Sequence, residues 1–454
     1  YASKVMGFSI KEIVGLVLIV NISACIGSFL FGSLQDKVGH KSSLMGIVIF
    51  WIIAIIFLFF SNKPLLFYIS ANLIGLGLGA AQSAGRASIA YLAPKRRQAE
   101  YFGVWGFFVN ASSVVGPLSY GVLTLIFLDN HKLGYHYERF QKWLDGELIA
   151  PVSVDMALTR SCGAMCSFCY AMVQEPQERS AIKTHDALNL LDDFSEIGVK
   201  AVSLISDGES TLSKAYIPFI QHAAKNGIDV GNATNAWDWK PEKIEQVLPS
   251  MKWVRFTVAA GTPSRYAEIM YKSKENTEVF DKAMENIKYA VELKRKLNLD
   301  VTLGIQMVLM PEFKDEIIPF AKLAVDLGVD YGVIKHCSDD ELGTLGVDYS
   351  KYEEMYELLS EAESLSNEST KVIVKWDKIK NKGKPSYKRF YGPQFLLQIS
   401  GSGLVAPSGM FFNARYSKLH IGNYVDERFK DIFNSERYWK IMNYLSSPMF
   451  DAQT

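Results

Sequence analysis

The run Met45 to Phe60, MGIVIFWIIAIIFLFF, is apolar around its whole circumference. A helix made from it has no polar face to give to water, so it belongs in lipid or deep inside a protein. Four stretches of this kind, Ile13 to Leu34, Leu44 to Phe60, Leu65 to Gln82 and Val104 to Leu128, approach the roughly 20 apolar residues that cross a bilayer. Four membrane helices are the expectation, with buried helices of a soluble core as the alternative. Charge divides the chain at the same place. Residues 1–127 carry 9 Lys or Arg and 3 Asp or Glu, and the rest carries 39 and 45, although all 454 residues together balance 48 against 48. The basic apolar front and the mildly acidic back suit different solvents, and the balanced total gives no global pull toward nucleic acid.

From Pro151 onward, short β-branched runs alternate with amphipathic helices. The runs are Val152 to Leu158, Lys200 to Ser206, Ile228 to Thr234, Trp253 to Ala259, Val301 to Leu309 and Tyr331 to His336. This spacing marks parallel βα units rather than hairpins. Gly198, Gly227 and Gly328 each follow a helical pattern and precede a strand, where a left-handed cap turns the chain back onto the sheet. Six units predict a three-quarter (βα)6 barrel with its site at the C-terminal ends of the strands.

Cys162, Cys166 and Cys169, three of the five cysteines, follow the first strand with C-x3-C-x2-C spacing. Close-set thiolates favour zinc or iron–sulfur clusters. A structural zinc site wants four closed ligands, and no fourth Cys or His stands near, His185 being too far along the chain. Three ligands on a four-iron cluster leave one iron open. The alternative is a stripe of small core residues on one helix face, which Gly163 and the position straight after a strand oppose. Five cysteines spread in this way form no secreted-type disulfide framework, so a reducing compartment is expected.

With this motif, residues 150–337 resemble the radical S-adenosylmethionine (SAM) enzymes. The resemblance implies that the three thiolates hold a [4Fe–4S] cluster, that SAM chelates the open iron, and that SAM is cleaved to a 5′-deoxyadenosyl radical that abstracts hydrogen from a substrate. It further implies cofactor contacts at Phe168, beside the third cysteine; at Gly208 and Glu209, in SDGES where the family has Gly-Gly-Glu; at Thr234 and Asn235, in ATNA where it has Thr-Asn-Gly; and at Thr257 on the fourth strand. Asp207 departs from the first glycine of that motif. An ordinary helix-capping acid at Glu209 and an Asx turn at Asn235 are the alternatives. Gln306 is expected to face the barrel interior or its mouth, and Lys335, His336 and Cys337 end the sixth strand. No general base is assigned. The last hundred residues resemble the SPASM or twitch accessory regions of that family, but Ala406 and Phe412 stand near the positions of the expected cysteines, which leaves an auxiliary cluster doubtful.

The front has its own resemblance. In GSLQDKVGHK, Gly32, Asp36, Lys37, Gly39 and Lys41 match the loop of major facilitator transporters, with His40 departing from it. Gln82, Ser83, Arg86, Pro94, Glu100, Phe102, Gly103, Gly116 and Pro117 resemble the autophagy-related 22, or vacuolar effluxer, branch. About four of twelve spans are covered, and a transporter needs two pseudo-symmetric halves around its site.

The expected fold class is therefore multi-domain: four all-α transmembrane helices of a partial transporter (1–128), a linker (129–149), an α/β partial (βα)6 barrel (150–350), and a small, truncated α+β accessory region (351–454). The expected partners are the lipid bilayer through residues 13–128, an unknown small-molecule or peptide substrate and a reductant such as flavodoxin or ferredoxin, with no nucleic acid. Lys37, Lys41, Lys95, Arg96 and Arg97 place their loops in the cytoplasm by the positive-inside rule. Four spans then carry the barrel to the other side, away from SAM and reductant, although a cytoplasmic barrel is what its chemistry calls for. Tyr1 at the start of the sequence points to a missing N-terminus, and a joining of two unrelated reading frames is one resolution of the conflict.

Overall fold

The computed structural model describes residues 10–59, 64–107, 109, 136–174, 180–384 and 387–452. The chain divides into two compact units, Tyr1–Tyr137 and Glu138–Thr454.

In the first unit, helices span Ile10–Val38, His40–Phe59 and Pro64–Leu92, and residues 98–107 are helical. Gly39, at φ 82°, makes the one-residue break between the first two. The first and third helices pack with backbone against backbone. A Cβ on Gly79 would lie 1.7 Å from the Ala24 carbonyl oxygen, and one on Gly27 would lie 2.2 Å from that of Leu76. Ser28 Oγ donates to the Gly79 carbonyl at 3.1 Å. Small residues with occasional polar links are how helices associate where no hydrophobic drive separates them from their solvent. The same residues lower the third helix's hydropathy. Among the described residues, two helices, Leu18–Val38 and His40–Phe57, are long and apolar enough to cross a membrane. The expected span Leu65 to Gln82 is helical, and Ser70, Asn72 and three glycines make it less apolar than the helix before it. Most of the fourth expected span, Val104 to Leu128, lies outside the described residues. His40 stacks on Tyr91 at 4.5 Å between ring centroids, which accounts locally for its departure from the loop pattern.

In the second unit, six strands run parallel in sequence order: β1 (Ser153–Met156), β2 (Ala201–Leu204), β3 (Asp229–Thr234), β4 (Trp253–Thr257), β5 (Thr302–Leu309) and β6 (Tyr331–His336). Helices including Thr184–Ile197, Tyr216–Lys225, Glu278–Leu297 and Ile317–Leu327 lie between them in the chain. Val154, Val202, Val230, Val254, Ile305 and Ile334 share one buried core with Phe194, Phe219, Ile287 and Phe320. Gly198, Gly227 and Gly328, at φ 91°, 69° and 64°, turn their helices into the next strand as expected.

The C-terminal hundred residues continue this sheet instead of forming one of their own. Strand β7 (Lys371–Val374) pairs parallel with β6, and β8 (Leu396–Ile399) pairs parallel with β1 in the register Ser153 to Leu396. Antiparallel β9 (Leu404–Ala406) and β10 (Gly422–Asn423) follow β8. The sequence marks β8 and β9 as a hairpin but gives no sign that β8 reaches β1. Buried Asp193 accepts from Arg428 Nε at 3.0 Å, and Phe429 meets Phe194 edge-on at 4.9 Å. These contacts fasten the C-terminal region to the first barrel helix.

Candidate active site

The loop after β1 that carries the cysteines is not a helix. Met165 N–H donates to the Met270 carbonyl at 2.8 Å and Ser167 N–H to that of Ile269 at 3.0 Å, so the loop hangs on the end of the helix Pro263–Tyr271. The small-residue helical stripe is thereby excluded. Cys162, Cys166 and Cys169 are free thiols, and they line one cavity of about 230 Å³ together with Phe168, Gly208, Glu209, Thr234, Asn235 and Thr257. Gln306 and Lys335 line it as well. His336 and Cys337 are buried, with His336 Nδ1 bonded to the Cys337 carbonyl at 2.6 Å. Sequence reading missed Arg255, which also lines the cavity. The signal was available, because Arg255 stands two residues before Thr257 on one strand and therefore on the same face.

The loop after β2 is held from several sides. Asp207, which departs from the family glycine, accepts from Arg160 Nε at 2.9 Å, Ser400 Oγ at 2.8 Å and Gly401 N–H at 2.8 Å. One buried carboxylate thus ties the loops after β1, β2 and β8 together. At Gly208, φ is 85° and a Cβ would lie 2.1 Å from the Thr159 carbonyl oxygen. Gly208→Ala is therefore expected to destabilise the second unit by about 3 kcal/mol, from strain and backbone displacement, measured by urea unfolding. A loss below about 0.5 kcal/mol, the range of ordinary surface changes, would refute this close approach.

Glu209 follows, buried, with Oε1 accepting from Thr211 Oγ1 at 2.8 Å and Oε2 from Asn235 N–H at 2.8 Å. Burial pushes its carboxyl pKa up, and these hydrogen bonds offset part of the rise. It also accepts from Thr211 N–H at 3.3 Å and from the Thr234 hydroxyl, so its acceptor sites are largely filled by the chain itself. Asn235 Oδ1 accepts from Trp237 N–H at 3.0 Å, an Asx turn, while its Nδ2 lies 4.0 Å from Cys162 Sγ.

Burial raises the Cys162 thiol to about 11, with Glu209 and Cys169 adding to the rise, and it raises Cys166 well above the ordinary thiol range. A bound cation reverses that balance and deprotonates a coordinating thiol. Among the described residues, no three His, Cys, Asp or Glu side chains are close enough to hold one metal ion. The donor set nevertheless fits an iron–sulfur cluster, because it offers three soft thiols in one cavity and no hard-ligand cage.

Lys335 is depressed to about 8, first by burial and then by Arg255 and Lys378. Between pH 8 and the ordinary lysine value the unfolded chain holds a proton that the folded chain has lost, so stability rises with pH there. Lys335→Met is expected to remove that rise. Urea unfolding at pH 7.5 and pH 10 checks it, and an unchanged slope would refute the burial of this ammonium.

Residues 156–324 match the Radical SAM superfamily. The chain is also similar in structure to SuiB of Streptococcus suis. The SuiB structure bound to S-adenosylmethionine aligns at TM-score 0.52 and 16% identity, covering 75% of this chain and 80% of that one. The SuiB structure bound to the precursor peptide SuiA aligns at TM-score 0.50 with the same identity and coverage. At that identity the likeness establishes the fold. Residues 2–128 match the Major Facilitator Superfamily. A curated relative of that part, the uncharacterized MFS-type transporter YxiO of Bacillus subtilis (strain 168), is 30% identical over 114 residues, covering 25% of this chain. The chain spans about a quarter of that relative's length, 26%.

Proposed function

We propose that the second unit is a radical SAM enzyme whose Cys162, Cys166 and Cys169 hold a [4Fe–4S] cluster. The observation that carries this reading is the convergence of the three thiols with Glu209, Thr234, Asn235 and Thr257 on one cavity, at the strand ends where barrel sites lie. When bound, the cluster supplies the electron that cleaves SAM to methionine and a 5′-deoxyadenosyl radical, which takes hydrogen from the substrate. The chain's own residues bind, orient and exclude water. The Glu209 carboxylate on the cavity wall suits the SAM ammonium by its charge, and the polar groups of Thr234, Asn235 and Thr257 suit its carboxylate and ribose. Phe168 and Met270 wall the cavity with apolar surface.

The substrate is a peptide or a small metabolite, and SuiB with its bound precursor peptide supports the peptide. A flavodoxin or ferredoxin is the reductant in this reading, and the auxiliary cluster of the accessory region is left out. The helices Ile10–Val38 and His40–Phe59 hold the chain in a bilayer, and the need for SAM and reductant calls for the radical SAM unit on the cytoplasmic side, against the side that the positive-inside rule gives it. Transport is not assigned to the first unit, because a transporter site lies between two pseudo-symmetric halves and the match reaches about a quarter of one relative.

The test uses the full chain in detergent, reconstituted with iron and sulfide without oxygen, then given SAM and dithionite while 5′-deoxyadenosine is quantified. Formation of the nucleoside supports the reading. A folded, iron-loaded chain that forms none overturns it.

A further inference from the structure

Arg255 and Lys335 wall the same cavity as the three cysteines, and neither charge is accounted for by what surrounds it. Arg255 Nε is buried and finds no acceptor, while its guanidinium carbon sits 5.4 Å over the Trp253 ring. The Lys335 ammonium makes no ion pair or hydrogen bond among the described residues, and the Arg255 and Lys378 charges act on it. A buried cation left without an anion is costly, and two side by side cost more.

The acids within reach are committed elsewhere. Glu209 is braced against Thr211 and Asn235, and Asp207 accepts from Arg160, Ser400 and Gly401. Asp155 bonds Ser203 and attracts Arg255, but no hydrogen bond joins the two, and Arg255 Nε stays without an acceptor. Below these groups the barrel is closed by large rings over glycines. A Cβ on Gly231 would lie 2.0 Å from the Trp253 ring, and one on Gly304 would lie 2.3 Å from that of Tyr331. Arg255 and Lys335 therefore give the cavity a cationic wall, and Gln306 on the same wall adds an amide donor.

We infer that Arg255, Lys335 and Gln306 form a binding site for a carboxylate of the substrate, so that the substrate is an acid or a peptide presenting an acidic group. This deepens the radical SAM reading and rests on it. The guanidinium fork matches a carboxylate in two-point contact, and a dry site makes charge-assisted bonds short and strong. The competing source of the same chemistry is the carboxylate of SAM itself, and the experiment separates the two.

The probes are glutarate and its neutral diamide, glutaramide, titrated into the cluster-loaded full chain and into Arg255→Gln, Lys335→Met and Arg255→Lys variants by calorimetry at fixed ionic strength, with SAM titrated in parallel. Glutarate is expected to bind and glutaramide not. Its Kd should rise about 10- to 100-fold in Arg255→Gln and in Lys335→Met, the cost of one lost charge-assisted hydrogen bond, with part recovered in Arg255→Lys and the SAM Kd within about twofold of the parent. Equal binding of both probes, or glutarate affinity unchanged in the variants, overturns the site. A SAM Kd that rises by the same factor in the variants assigns the cations to SAM and overturns the substrate assignment. A parent chain that binds glutarate as expected but neither binds nor cleaves SAM sinks the radical SAM reading while leaving the anion site standing.

Discussion

Cys166→Ala is expected to form no measurable 5′-deoxyadenosine and to lose most of its iron, while the chain still folds. Outer-shell partners of metal ligands alone are worth about 10- to 100-fold, so loss of a ligand is expected to cost more than about 100-fold in the rate of nucleoside formation. The fold survives because the loop is fixed by its backbone, through Met165 and Ser167 to the end of a neighbouring helix, and not by the sulfur. Cys25→Ala is the control. That thiol is exposed on the first helix and is expected to leave iron content and product unchanged. The measurement is iron and sulfide per chain together with nucleoside formed after reconstitution. A Cys166→Ala chain that keeps its iron and its product would remove the cluster from this loop.

Asp207→Ala is expected to lower stability by about 3 kcal/mol, because it withdraws the acceptor of three hydrogen bonds, one of them from a guanidinium, at a carboxylate only 1% exposed. The effect reaches the site. Gly208 and Glu209 follow directly, so the SAM affinity should fall with the stability, and Asp207→Asn, which keeps one acceptor, should fall between. Urea unfolding and SAM titration of the two variants check this. Equal stability of Asp207→Ala and the parent would show the loops after β1, β2 and β8 to be held by other contacts.

The barrel was largely legible in the sequence because a parallel βα unit writes itself locally. The strands are β-branched runs, the helices carry apolar stripes, and three helices are followed by a left-handed glycine, so six strands were placed to within a few residues. The predicted site residues that line the cavity were legible for the same reason, since each sits at or just past the end of a strand. What was not legible is long-range. No local pattern tells that Leu396 pairs with Ser153, or that Ser400 and Gly401 supply the partners that make Asp207 acceptable where the family has glycine. Arg255 was passed over because an isolated arginine inside an apolar strand resembles a rim residue until the barrel closes around it. In the front, circumference-wide apolarity identified the helix at Met45 to Phe60, and the third helix forms where it was expected. Its glycines and serines serve close packing against the first helix, which a count of apolar residues does not see.

The pairing of β8 with β1 also sets a timetable for synthesis. The two strands lie roughly 240 residues apart, and translation at about 5–20 residues per second leaves tens of seconds between their emergence from the ribosome. Throughout that interval β1 carries an unpaired edge, the kind of surface that invites pairing with another chain. The second restraint on Asp207, from Ser400 and Gly401, arrives equally late. The nascent protein therefore holds an open arc with a loose cysteine loop until β8 has been made, and both its exposure to misassembly and its readiness to accept iron and sulfide belong to that window.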